Sequence, residues 1–151
     1  MANLLAMTAS QPARSLGPEE VLITQGESGG DLFILESGAL KVERDGIEIA
    51  TLSQPGTLVG EMSVLIGIRN SATVRAARDS RVRIIRNAAK YLESDPVLSL
   101  KIAALVANRL DATSALLVDM TREHSGKPSE QGLLRRIFSA LHVPATETEP
   151  G

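Results

Sequence analysis

Short apolar segments separated by turns rich in glycine and polar residues run from residue 19 to residue 86. Segments of this length and spacing predict the strands of an all-β fold. The predicted strands are residues 21–24, 32–35, 39–43, 47–52, 72–76 and 81–85. Between two of them, Asp45-Gly46 is a two-residue hairpin signal, because both positions tolerate a positive φ. We therefore predict a mainly β fold, an all-β sandwich or roll, at residues 19–86.

The pattern becomes helical after the last predicted strand. Asp95-Pro96 is a helix start signal, since aspartate favours the N-cap and proline favours the first helical position. From Val97 the chain has no glycine or proline before Gly126. Six positions in this stretch, spaced alternately by three and four residues, form an a/d stripe, which indicates a narrow helix seam. They are Ala103, Val106, Leu110, Thr113, Leu117 and Met120. A second helix is predicted at about residues 129–141.

These elements divide the chain into four predicted parts. Residues 1–17 should be a flexible lead-in, and residues 18–125 should form one domain made of the β-roll and helices at 87–125. Residues 126–143 should hold the C-terminal helix. The tail at 144–151 is rich in Thr, Glu and Pro, a composition that is typical of disorder.

Composition argues against several classes of function. The net charge is -2 and the sequence pI is about 5.7, which argues against a strongly basic nucleic-acid-binding surface. The absence of cysteine rules out disulfides, thiolate metal sites and cysteine nucleophiles. No apolar stretch approaches the ~20 residues that cross a bilayer, so we predict a cytoplasmic protein without a membrane partner.

No pattern of residues predicts catalysis or metal binding. His124 and His142 are isolated, without carboxylates or another histidine at the spacing of metal ligands. No Ser-His-Asp set, Walker loop or paired carboxylate cluster stands out. We therefore predict a protein that is not an enzyme, has no metal site and requires no cofactor.

The segment 56–74 concentrates groups that suit a ligand with a ribose and an anionic phosphate. Glu61 supplies a carboxylate, and Ser71 and Thr73 supply hydroxyls. The backbone N–H groups of residues 62–64 lie at a predicted helix start, where anions bind readily. The sequence therefore predicts a polar binding loop at this point of the roll.

This segment resembles the phosphate-binding cassette of cyclic-nucleotide-binding domains, written Phe-Gly-Glu-x-Ala-Leu, a short variable run, then Pro-Arg-Ala-Ala-Thr-Val. The spacing from Gly60-Glu61 to Ala72-Thr73-Val74 is that of the family. Further matching motifs extend the resemblance over roughly residues 17–115. They are Gln25-Gly26-Glu27, residues 31–38, Asp45-Gly46, residues 52–56 and residues 95–110.

The resemblance implies a bacterial catabolite-activator-like fold: a jelly-roll-like antiparallel β-roll (double-stranded β-helix) at 19–86, interrupted by a short helix near residues 62–66 and followed by C-terminal helices. It also implies that the domain binds cAMP or cGMP and transmits the signal through these helices. By position it implies that Glu61 accepts a charge-assisted hydrogen bond from the ribose 2′-OH. The other interpretation is that Glu61 only stabilises the turn or the start of the short helix. The implied ligand-binding residues are Gly60, Glu61, Met62, Ser63, Arg69, Asn70, Ser71 and Thr73.

The cassette departs from the family at the arginine that pairs with the phosphate. That position is Asn70, and Arg69 stands one residue earlier, in the slot usually held by proline. Asparagine cannot form the bidentate pair that a guanidinium forms with a phosphate. Arg69 either turns inward to replace it or stays at the surface. Two functional hypotheses follow, a cyclic-nucleotide sensor with weakened affinity, and a non-nucleotide-binding adaptor that keeps the fold to bind an effector protein.

Related regulators also suggest how the chain assembles. They often dimerise through the equivalent long helix, so the resemblance implies a homodimer through the a/d stripe. The alternative is a monomer in which the stripe folds back onto the roll or packs under the helix at 129–141. About 25 residues follow His124, too few for the winged DNA-binding domain of such regulators. We therefore predict a stand-alone module that does not bind DNA.

Overall fold

The computed structural model describes residues 3–123, 132–133, 135–137 and 139. The chain divides into two compact units, residues 1–100 and residues 101–151. The strands are β1 (Ala13–Leu16), β2 (Val21–Ile23), β3 (Leu32–Ser37), β4 (Leu40–Arg44), β5 (Ile47–Leu52), β6 (Leu58–Val59), β7 (Thr73–Ala76) and β8 (Ser80–Ile85). The helices are α1 (Leu4–Met7), α2 (Glu61–Ile66), α3 (Ala88–Ser94) and α4 (Pro96–Glu123).

The strands of the first unit form two four-stranded antiparallel sheets. One sheet has the order β1-β8-β3-β6 and the other has the order β2-β7-β4-β5. The predicted antiparallel β-roll is therefore confirmed, with α2 interrupting it between β6 and β7. Asp45 and Gly46 join β4 to β5 with φ angles of 53° and 78°, which confirms the predicted hairpin.

The core of the roll is a cluster of mainly aliphatic side chains from both sheets. Leu35, Leu40 and Val82 are completely inaccessible to solvent. Four successive residues of β3, 32–35, are all buried. A strand covered on both faces needs no alternation of apolar and polar positions, which explains the continuous apolar run in the sequence.

Residues 3–17, the described part of the predicted flexible lead-in, contain two regular elements. Residues 4–7 form α1, and residues 13–16 form β1, which pairs along its whole length with β8. The four residues of β1 include only one large apolar side chain, Leu16, which is buried. This single position gives no periodicity, so β1 could not be recognised without its partner strand.

Arg83 on β8 fastens the lead-in to the sheet. Its Nη1 donates to the carbonyl oxygen of Ala9 at 3.3 Å and to that of Gln11 at 3.1 Å. Its Nη2 donates to Glu36 Oε1 on β3 at 2.8 Å. One guanidinium therefore links the N-terminal segment, β8 and β3.

We expect Glu36→Gln to destabilise the fold near neutral pH, because Glu36 pairs with both Arg83 and Arg81. The hydrogen bond from Arg83 holds the pKa of the Glu36 carboxyl below its ordinary value of 4.5. A lowered folded-state pKa stabilises the folded chain above the unfolded-state value, and this contribution is lost as pH falls through the lowered pKa.

Urea denaturation of the wild type and Glu36→Gln at several pH values measures this effect. The difference between their midpoints should be largest near neutral pH and should shrink below about pH 4. A difference that stays constant on acidification would mean that the ion pairs contribute nothing to stability.

The long helix begins where the sequence indicated. Pro96 is the first residue of α4, and the Oδ1 atom of Asp95 accepts a hydrogen bond from Leu98 N at 3.0 Å. This is the side-chain cap that satisfies an unpaired N–H group at a helix start. The predicted start of the helix at Asp95-Pro96 is therefore confirmed.

The a/d stripe lies on the part of α4 that belongs to the second unit. Most of its residues are exposed to solvent. Leu110 and Met120 keep 45% and 41% of their surface exposed, whereas Leu117 is buried. Ala103 and Thr113 are exposed and Val106 is half-buried. The single chain does not bury the stripe, so its burial against a second chain stays a prediction.

Part of the C-terminal region is also described. Residues 132–133, 135–137 and 139 are helical. The remaining positions of the predicted helix at 129–141, and the predicted disordered tail at 144–151, lie outside the described residues. Within the described ranges, none of the helices combines the length and the apolar content needed to cross a bilayer.

Candidate functional site

The cassette begins with a sharp change of direction at Gly60. This residue is the N-cap of α2 and has a φ of 89°, in the left-handed region that favours glycine. A Cβ atom at this position would lie 2.8 Å from the carbonyl oxygen of Asp31. The backbone conformation and the close approach both require glycine, which sets the direction in which α2 leaves β6.

The two ends of the cassette meet at α2. Glu61 lies in the first turn of the helix. Ser63 Oγ donates to the carbonyl oxygen of Gly60 at 3.1 Å, which reinforces the turn. From the far end of the cassette, the Ser71 hydroxyl donates to the Met62 sulfur at 3.6 Å. The structure therefore brings Ser71 to the start of α2, beside Gly60, Glu61, Met62 and Ser63.

Asn70 is bonded to the β2–β3 loop, which we define as residues 24–31. Its side-chain Nδ2 donates to the carbonyl oxygen of Thr24 at 3.1 Å. Its backbone N–H donates to the carbonyl oxygen of Glu27, and its own carbonyl oxygen accepts from Gly26 N, both at 2.9 Å. The residue at the family's arginine position is thus engaged by both its backbone and its side chain.

Arg69 and Thr73 also use their polar groups on this loop. Arg69 Nη1 donates to the carbonyl oxygen of Gly26 at 3.2 Å, and the side chain is otherwise exposed. Thr73 Oγ1 accepts a hydrogen bond from Gln25 N at 3.0 Å. In this structure the Arg69 guanidinium lies on the β2–β3 loop. Its contact with a phosphate stays a prediction.

The loop lies directly against the cassette, a contact that was not predicted from the sequence. A Cβ atom at Gly29 would collide with Ser63 Oγ and would lie 2.6 Å from Asn70 Oδ1. Only glycine allows the loop to approach this closely. The signal in the sequence is the presence of three glycines, Gly26, Gly29 and Gly30, within the loop.

A cavity of about 230 Å³ lies beneath the loop, beside Asn70. Its apolar wall includes Leu22, Ile23 and Phe33, and its polar wall includes Glu27 and Asp31. Among the residues that the structure describes, none of those lining the cavity is basic. The cavity therefore offers open space at the position where the family carries a long cationic side chain.

The arginine and lysine residues on the strands near the cassette are matched by carboxylates. Arg75 Nε lies 3.2 Å from Glu43 Oε1. Lys41 Nζ donates to Glu19 Oε1 at 2.8 Å, and this hydrogen bond raises the pKa of the Lys41 ammonium above its ordinary value. Across the part of the chain that the structure describes, no group of three His, Asp or Glu residues is arranged to hold a metal ion.

Comparison with known proteins identifies relatives of the chain. A sequence model of the family described as "Cyclic nucleotide-binding domain" matches residues 13–90, just over half of the chain. The cAMP-dependent protein kinase regulatory subunit of Yarrowia lipolytica is 37% identical over 59 residues, which cover 39% of this chain and 16% of that protein. The cGMP-dependent protein kinase egl-4 of Caenorhabditis elegans is 31% identical over 64 residues, covering 42% of this chain and 8% of that protein.

A solved structure shares the fold. The catabolite activator protein of Thermus thermophilus superposes with a TM-score of 0.63 at 26% identity, over 76% of this chain and 56% of that protein. The chain therefore spans just over half of this regulator and less than a fifth of the two kinase relatives. What is shared is one domain of each larger protein.

Proposed function

This chain belongs to the cyclic nucleotide-binding domain family, and we propose that it is a regulatory module that binds cAMP or cGMP at the cassette. The observation that carries the proposal is the match of the family model to residues 13–90, a range that includes the whole cassette. Within the cassette, the Ser71 hydroxyl contacts the Met62 sulfur of α2 at 3.6 Å, and Glu61 lies in the first turn of the same helix. These positions support a small site to which a carboxylate, backbone N–H groups and a hydroxyl contribute.

In this proposal each group binds a different part of the ligand. Glu61 accepts the ribose 2′-OH, and the backbone N–H groups of residues 62–64 together with Ser71 bind the cyclic phosphate. Gly60, Ser63 and Thr73 shape the site, and Arg69 and Asn70 border it. Because no guanidinium pairs with the phosphate from position 70, the affinity falls roughly ten- to a hundredfold below that of a site with the family's arginine.

Isothermal titration of the protein with cAMP and with cGMP tests the proposal. We expect saturable binding of at least one nucleotide at one site per chain. Binding of neither nucleotide at high micromolar protein would overturn the proposal. It would support the other hypothesis, an adaptor that keeps the fold and binds its effector protein through other surfaces.

The remaining features of the proposal concern what the module does with the signal. The family to which the chain belongs is regulatory, and we propose that this chain has no catalytic activity and requires no cofactor. Its output is a change in α3 and α4 that an effector protein recognises. A cytoplasmic location and the absence of DNA binding are part of the same proposal.

We also propose that α4 pairs with its copy in a second chain. Leu110 and Met120 are large apolar side chains at stripe positions, and each is more than two-fifths exposed in the single chain. An a/d stripe suits a two-stranded helix contact, in which a partner helix would cover these residues. Ala103 and Thr113 add little apolar surface, so the contact should be weak.

Analytical ultracentrifugation across a concentration series distinguishes dimer from monomer. We expect the sedimentation coefficient of the unmodified protein to rise with concentration toward that of a dimer. A single monomer-sized species at tens of micromolar would exclude the dimer. Leu110→Glu should act on the dimer alone, because Leu110 is 45% exposed in the single chain and a charge there would be buried only against a partner helix.

A further inference from the structure

Five hydrogen bonds within the described residues join the end of the cassette to the β2–β3 loop. Three involve Asn70, through its side chain to Thr24 and through its backbone to Gly26 and Glu27. The other two run from Arg69 Nη1 to the Gly26 carbonyl oxygen and from Gln25 N to Thr73 Oγ1. Three residues that the sequence assigned to the ligand therefore hold the loop.

The far end of the loop is held as well, by the turn that precedes α3. Asp31 Oδ1 accepts a hydrogen bond from Asn87 N at 3.0 Å. The carbonyl oxygen of Gly30 accepts from Ala88 N, the first residue of α3, at 2.8 Å. The loop is thus bonded to the cassette at one end and to the start of α3 at the other.

We infer that Asn70 is a positioning residue: it clamps the β2–β3 loop against the cassette and does not bind the ligand's phosphate. One N–H of its Nδ2 donates to the Thr24 carbonyl oxygen and its Oδ1 faces Gly29, so both polar atoms of the amide are directed at the loop. A short amide side chain that spans the cassette and the loop in this way stands where a ligand arginine is expected. The statement about the ligand's phosphate rests on the proposed function. The clamp itself does not.

Hydrogen exchange of the ligand-free protein tests the clamp directly. Asn70→Ala removes the bond to Thr24 and leaves the backbone bonds available. We expect the amides of residues 25–27 to exchange roughly two- to tenfold faster, the range that corresponds to one neutral hydrogen bond. Asn70→Asp keeps the shape but replaces the donor with an acceptor that faces the Thr24 carbonyl oxygen, so it should accelerate exchange at least as much.

Ser71→Ala is the matched control, because the Ser71 hydroxyl contacts Met62 and no loop residue. It should weaken nucleotide binding and leave exchange at residues 25–27 unchanged. If Asn70→Ala weakens binding but leaves loop exchange at the wild-type rate, Asn70 binds the ligand and the inference is wrong while the proposed function stands. Loop exchange could respond as expected while neither the wild type nor any variant binds nucleotide. That result would confirm the clamp and would show that the proposed function is wrong.

Discussion

Asn70→Arg is expected to tighten cAMP binding by roughly tenfold. An arginine at position 70 adds a guanidinium that can pair with the cyclic phosphate through two N–H groups. Each hydrogen bond to a charged group contributes about 1.5–3 kcal/mol, against about 0.5–1.5 kcal/mol for the neutral bond to Thr24 that the substitution removes. The gain therefore exceeds the loss.

The structure has room for the larger side chain. The cavity of about 230 Å³ borders Asn70. A side chain longer than that of asparagine can therefore extend into open space at this point of the cassette.

Titration calorimetry of the wild type, Asn70→Arg and Asn70→Lys measures the effect. Asn70→Lys is the matched control, because it adds the same charge without the planar fork and should give a smaller gain. Equal gains from both variants would mean that charge alone, and not bidentate pairing, strengthens binding. No gain from Asn70→Arg would mean that the loop no longer has the family's geometry.

Glu61→Ala is expected to weaken nucleotide binding by about tenfold or more. The carboxylate lies in the first turn of α2, on the side of the cassette assigned to the ribose. A hydrogen bond from the 2′-OH to a carboxylate is charge-assisted and stronger than one between neutral groups. Its removal leaves the ribose hydroxyl without this acceptor.

A ligand that lacks the hydroxyl separates ribose binding from a purely structural role. The wild type should bind 2′-deoxy-cAMP more weakly than cAMP, whereas Glu61→Ala should bind both equally. Glu61→Gln keeps the size of the side chain and an acceptor oxygen. Its preference for cAMP over 2′-deoxy-cAMP should therefore lie between those of the wild type and Glu61→Ala. If Glu61→Ala weakens both ligands by the same factor, the residue acts by stabilising α2 and the assignment to the ribose is wrong.

The sequence alone determined the features that depend on neighbouring residues. The Asp45-Gly46 hairpin and the start of α4 at Pro96 were predicted because turn conformations and helix caps involve residues within a few positions of each other. The cassette was recognised by its resemblance to the family's motif, carried by the residue types and spacing between Gly60 and Val74. Features of this kind can be predicted from the identity and order of nearby residues.

Only the tertiary structure decided where the polar groups of the cassette are used. Asn70 meets Thr24 across 46 residues of sequence, and Arg69 meets Gly26 across 43. β1 likewise depends on pairing with β8, since its own residues carry almost no apolar periodicity. Contacts at such separations depend on how the sheets fold over each other. The motif spacing along the chain therefore placed Asn70 among the ligand-binding residues, whereas its hydrogen bonds connect it to the β2–β3 loop.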